Sequence, residues 1–144
     1  MTEIVLYSGV ADPLIFATRL TMQLYDEGRR VRVLTPNEEA TGALDRLLWT
    51  HVQGSFVPHC RVSAAIAFDT PVWVDHAREH PGDAAHADVL LNLSVEAPEF
   101  IGRFKRVADV VGVQEAAVQA GRSRFKKYKS DGYGITHHDM TGKP

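Results

Sequence analysis

Cysteine is all but missing. The 144-residue chain carries one, Cys60, which leaves no internal disulfide framework and suits a reducing, cytoplasmic setting. Long apolar runs are missing too. Nothing approaches the roughly twenty consecutive apolar residues that a membrane-spanning helix needs, and the first residues lack a secretory-signal layout, so no membrane partner is expected. An excess of one charge is also absent. Sixteen Lys and Arg stand against eighteen Asp and Glu, a formal net charge of −2, whereas general duplex-DNA binders are usually strongly basic. Neither a G-x-G-x-x-G nor a P-loop signature follows the first apolar run, where the turn reads SGVADP, and no G-x-S-x-G elbow occurs. Nucleotide binding and nucleophilic catalysis therefore have no sequence support, and no cofactor is implied.

What remains is an ordinary globular composition, 44% hydrophobic and 24% charged, at a length that suits one domain. Residues 4–9 (IVLYSG) read as a buried strand. Asp12-Pro13 supplies an N-cap and a proline for the first helical position. That helix should run to about residue 27 with Phe16, Leu20 and Leu24 on one stripe, and Gly28 should stop it. Residues 30–34 (RVRVL) alternate as a half-buried strand does, and a second helix opens at 36–39 and reaches about residue 51. This β-α-β-α opening favours a parallel, doubly wound α/β sheet. Residues 52–59 read as a loop, 71–75 as a strand, 76–87 as a surface loop and 88–94 as a strand. A short helix at 98–104, a strand at 106–112 and a basic helix complete the fold. The domain spans 1–134, and 135–144 reads as a frayed tail.

The histidines invite metal readings. Residues 76–80 (HAREH) match the H-x-x-E-H pattern of some zinc peptidases, but that chemistry needs a helix, and Pro81-Gly82 follows at once. His51, His59 and Cys60 are irregularly spaced and lack a fourth ligand. No metal site is expected, and Cys60 reads as a buried, inert thiol.

The cations that exist are unevenly placed. Five of the sixteen fall between Arg122 and Lys129, in GRSRFKKYKSDGYG (121–134), leaving eleven elsewhere against all eighteen carboxylates. On a helix, Arg122, Lys126 and Lys129 share one face, while Phe125 and Tyr128 lie one step round, facing the body or edging a pocket. A cationic, aromatic patch on a net-negative chain suits an anionic partner with an apolar group to insert. A second stretch, 44–59 (LDRLLWTHVQGSFVPH), ends an amphipathic helix at Trp49 and places Phe56, Val57 and Pro58 in the loop beyond. Its aromatics either plug the core or form an exposed interface patch.

Together the two blocks, LDRLLWT…SFVPH and RxRFKKYKxxGY, resemble the chi subunit of bacterial DNA polymerase III. The resemblance covers nearly the whole chain in element order. It implies a Rossmann-like fold with no catalytic activity of its own, acting on the clamp-loader side of the replicative holoenzyme. It also implies two partners: the psi subunit, and the acidic C-terminal tail of single-stranded DNA-binding protein, which ends in a phenylalanine carboxylate. By resemblance, Val111, Arg122, Arg124, Phe125, Lys126 and Tyr128 fall on the tail-binding block. Trp49, Phe56, Val57 and Pro58 fall on the surface used for psi, or in some bacteria for a helicase of the XPD type. Val118 stands where some members carry a further Lys. Nucleic acid would then be reached indirectly. The alternative is a module that stacks single-stranded nucleic acid directly on Phe125, Tyr128 or Tyr133.

Overall fold

A computed structural model describes residues 2–50, 57–63, 70–80 and 88–142. Its strands are β1 (Glu3–Val10), β2 (Val31–Leu34), β3 (His59–Cys60), β4 (Val72–Asp75), β5 (Val89–Asn92), β6 (Arg106–Gly112) and β7 (Gly134–Asp139). Three α-helices are described, α1 (Pro13–Asp26), α2 (Glu38–Thr50) and α3 (Glu115–Ser130), with a short 3-10 turn at Ile101–Arg103. The strands form one sheet in the order β3-β4-β2-β5-β6-β1-β7, every pairing parallel. This is the α/β architecture that the opening β-α-β-α pattern predicts.

Local chemistry sets the element ends. Asp12 accepts the Ile15 N–H at 3.2 Å, and Pro13 occupies the first turn of α1. At the other end the amides of Gly28 and Arg29 donate to the carbonyls of Tyr25 and Leu24. Gly28 takes φ +80° there, the left-handed closure glycine provides at helix ends. The side of α1 that reaches the sheet is Ala17, Thr18, Thr21 and Leu24. Phe16 and Leu20 flank that stripe and pack against the core half-buried.

Helices cover both faces. Val31, Val33, Val72, Val74, Val89 and Leu91 point toward α1 and α2, against Leu44, Leu48 and Val57. On the other face Ile4, Leu34, Leu90 and Val107 meet Phe100, Ile101, Phe104 and Tyr128. Double coverage corrects the half-solvated reading of β2: all four residues are buried. Arg32 is inside because its guanidinium donates to the carbonyls of Glu79 (2.8 Å) and Ala77 (2.5 Å) and lies over the Phe100 ring. Burial pulls its pKa down to about 10, with Asp75 opposing the fall. A buried charge needs such partners.

Two further expectations change. His59, read as the end of a loop, forms β3 with Cys60 and pairs with β4. The tail beyond residue 134, read as frayed, forms β7 alongside β1, in register from Glu3↔Gly134 to Ser8↔Asp139. GITHHD shows no apolar alternation because β7 is an edge strand whose side chains are mostly exposed. Its main-chain ladder holds it instead.

Candidate functional site

Helix α3 leaves the end of β6, crosses β1 and returns to β7, so it lies over the β6–β1–β7 side of the sheet. Gly121 lets it come close. A β-carbon there would stand 2.8 and 2.9 Å from the Val111 methyls, distances that real side chains do not tolerate. Beside this contact, α3 and the strand surface enclose an open groove of about 920 Å³.

Val111, Val118, Leu6 and Phe125 provide its apolar lining. Arg122, Lys126 and Lys129 line it from the helix, on the face that their i, i+4, i+7 spacing predicts. All three are exposed, and none makes a hydrogen bond or ion pair within the described residues. Lys127 differs: it points elsewhere and pairs with Asp131 at 3.3 Å. On the strand side Ser8 Oγ and His137 Nε2 stand 2.6 Å apart. A serine–histidine pair alone lacks the third group that orients the imidazole in catalytic triads, and His137 Nδ1 has no hydrogen bond among the described residues. The groove is thus an apolar slot with unneutralised cations on one wall. It can bury a hydrophobic group and hold carboxylates.

Beneath the groove lies a closed polar cluster. Asp109, on β6, is fully buried. Arg124 grips it with three contacts of 2.8–3.1 Å and donates to Val95 O at 2.8 Å and Ser94 O at 3.3 Å. The Tyr128 hydroxyl donates to the same carboxylate at 2.5 Å. Burial disfavours the charge of Arg124, but the hydrogen bonds and charge of Asp109 outweigh it and raise the guanidinium pKa. The Tyr128 pKa is raised too, by burial first and then by the adjacent Asp109 charge.

On the far side of the sheet, Trp49 is 60% exposed at the end of α2. Its ring meets the edge of His59 at 6.0 Å. His59 holds Nδ1 2.6 Å from Val57 O and Nε2 2.7 Å from Asp45 Oδ1, so neither nitrogen is open to the neighbouring Cys60. Residues 76–80 are irregular rather than helical, and His80 packs among Trp73, Phe100 and Phe104.

Comparison with known proteins decides the family. The model described as DNA polymerase III chi subunit, HolC, matches residues 1–136. The DNA polymerase III subunit chi of Pseudomonas aeruginosa is 34% identical over 133 residues, 90% of each chain. That of Haemophilus influenzae is 25% identical over 124 residues, 86% of this chain and 85% of its own. That of Escherichia coli is 25% identical over 116 residues, 81% and 78%. The chain belongs to the DNA polymerase III chi subunit family.

Within this chi-family chain the structure divides the expected tail-binding block. Val111, Arg122, Phe125 and Lys126 come together in the groove. Arg124 and Tyr128 do not. Both are buried and committed to Asp109, which corrects their assignment as contact residues: two positions from Arg122, helical rotation turns Arg124 inward. The block at 44–59 divides as well. Trp49 is exposed, Pro58 is half-buried, Val57 is a core residue at 3% exposure, and Phe56 lies outside the described residues. Val57 is therefore part of the core and is not available for direct contact with a partner. Leu6, Ser8 and His137 were not legible as groove residues. Their only sequence signal is membership of β1 and of an edge strand that lacks apolar alternation.

Proposed function

We propose that this protein is a non-catalytic accessory subunit in DNA replication that uses the α3 groove to hold the acidic C-terminal tail of single-stranded DNA-binding protein. One observation carries the reading: three exposed cations, free of partners among the described residues, flank an apolar slot on a chain whose other charges are mostly acidic. A terminal carboxylate suits the forked guanidinium of Arg122. The terminal aromatic ring suits the notch formed by Val111, Val118 and the edge of Phe125. Membership of the chi family points the same way. Trp49 and the half-buried Pro58 mark a second contact, for psi or an equivalent clamp-loader or helicase partner.

The direct nucleic-acid reading loses its stacking platform. Tyr128 is fully buried, and Tyr133 packs against the core, which leaves Phe125 as the one ring of the three at the groove. Calorimetric titration with an acidic peptide ending in Asp-Ile-Pro-Phe tests the proposal. Micromolar binding is expected, lost in Arg122→Ala and with a peptide lacking the terminal Phe. No binding at low salt, together with tight and steeply salt-dependent binding of a bare single-stranded oligonucleotide, would replace it with the nucleic-acid reading.

A further inference from the structure

The seam between α2 and β3 is built from side chains that the α3 groove does not use. β3 is the outer strand of the sheet, two residues long, so its main-chain ladder to β4 is short. Side chains add what the ladder lacks. Glu38 and Asp45 stand seven residues apart, on one face of α2, and His59 and Arg61 reach them from the strand. Arg61 donates to both oxygens of the Glu38 carboxylate, and His59 Nε2 stands 2.7 Å from Asp45 Oδ1. The other imidazole nitrogen, Nδ1, is 2.6 Å from the carbonyl of Val57, whose side chain is anchored in the core. Leu44 and Leu48, fully buried, hold α2 itself to the sheet. The His59 side chain, only 3% exposed, is thus fixed from two directions.

Trp49 follows Asp45 by four residues and so lies on the same stripe of α2. It is 60% exposed, and side chains so exposed ordinarily change rotamer freely. Here the indole stands T-shaped to the His59 ring, with centroids 6.0 Å apart and planes at 72°, a favoured aromatic arrangement. We infer that His59 is a positioning residue for Trp49: pinned between the Asp45 carboxylate and the Val57 carbonyl, it holds the indole in one orientation as a pre-formed anchor for an apolar surface on a partner. This rests on Trp49 being a partner contact. Orienting the side chain before the partner arrives spares the cost of immobilising it, about twofold to tenfold in affinity. Asp45 acts at one further remove, by fixing the imidazole.

Fluorine NMR and a double-mutant cycle test the role. The chain has two tryptophans, and the second, Trp73, is buried in β4 and reports the fold. Fluorotryptophan labelling gives one signal for each, assigned with Trp49→Phe. The variants are His59→Gln, whose amide can replace Nε2 toward Asp45 but brings no ring, and Asp45→Ala. In both, the Trp49 signal should move toward its position in the urea-unfolded chain while that of Trp73 stays. Affinity for a purified psi-type subunit should fall about twofold to tenfold in each, and scarcely further when either is added to Trp49→Ala. Where His59→Gln also moves Trp73, the result is read from Asp45→Ala, whose native side chain is 52% exposed. An unmoved Trp49 signal, or losses that add to that of Trp49→Ala, overturns the positioning role and leaves the Trp49 contact standing. Equal binding by the native chain and Trp49→Ala, or no binding by the native chain, removes the contact and the role of His59 together.

Discussion

Arg122 and Arg124 are two residues apart, and their substitutions should fail in opposite ways. Changing Arg124 to Met removes every hydrogen bond to the Asp109 carboxylate among the described residues except that of the Tyr128 hydroxyl, and leaves that carboxylate buried. Breaking a buried ion pair from one side costs about 3–5 kcal/mol. At ~2.1 cal/mol/K of unfolding entropy per residue, a chain of 144 residues has ~0.3 kcal/mol/K in all, so Tm should fall by about 10–16 °C. Arg122→Met removes an exposed guanidinium with no partner among the described residues, and its Tm should move by about 2 °C or less. Affinity should show the reverse. Arg122→Met should weaken tail-peptide binding about ten- to a hundredfold, while folded Arg124→Met should bind within about threefold of the native chain. Scanning calorimetry and peptide titration on the same samples, well below either Tm, give both numbers. An Arg124→Met protein that keeps its Tm but loses the peptide would refute the division of roles.

Three further outcomes follow from the same geometry. Gly121→Ala gains about 1 kcal/mol of helix propensity but drives a β-carbon into both Val111 methyls. Overpacking at about 1–3 kcal/mol should win, so the urea midpoint should fall and recover in Gly121→Ala/Val111→Ala; a raised midpoint would show that α3 is free to shift. Tyr128 has its pKa raised above 10 in the folded chain, so the unfolded chain loses this proton first. Its contribution to stability is whole below pH 10 and drains away as pH rises beyond, and Tyr128→Phe should flatten that alkaline loss in urea titrations across the window. Trp49→Ala should leave Tm nearly unchanged yet weaken binding to a purified psi-type subunit, whereas Val57→Ala, at a buried site, should cost about 2 kcal/mol; the opposite pairing would move the partner surface elsewhere.

What could be read from the sequence was what local rules control. Asp12-Pro13 and Gly28 mark the ends of α1 because capping is settled within a few residues. Arg122, Lys126 and Lys129 share a groove because helix spacing puts them on one face. Arg32 misled because β2 alternates charged and apolar residues, and nothing nearby reveals that carbonyls from 77 and 79 and the Phe100 ring will cover the charge. Arg124 and Tyr128 were placed on the tail-binding block by resemblance, not by helix spacing. Their partner is Asp109, on another element, and a cation-rich helix looks equally cationic on every side until the sheet is in place. The Ser8–His137 contact joins residues 129 positions apart, so no spacing pattern could bring it forward.

The place of β1 in the sheet has a consequence for biosynthesis. Among the described strands, β1 is made before β6 and β7 yet is held between them. Until residues 106–139 emerge, Ile4, Val5 and Leu6 belong to an apolar strand with both edges unpaired, the kind of segment that chaperones shelter and that otherwise aggregates. A nascent chain halted before β7 would still have an open β1 edge and would lack His137 in its groove wall. Any ligand that senses that wall is therefore sensing that β7 has been made and has docked on β1.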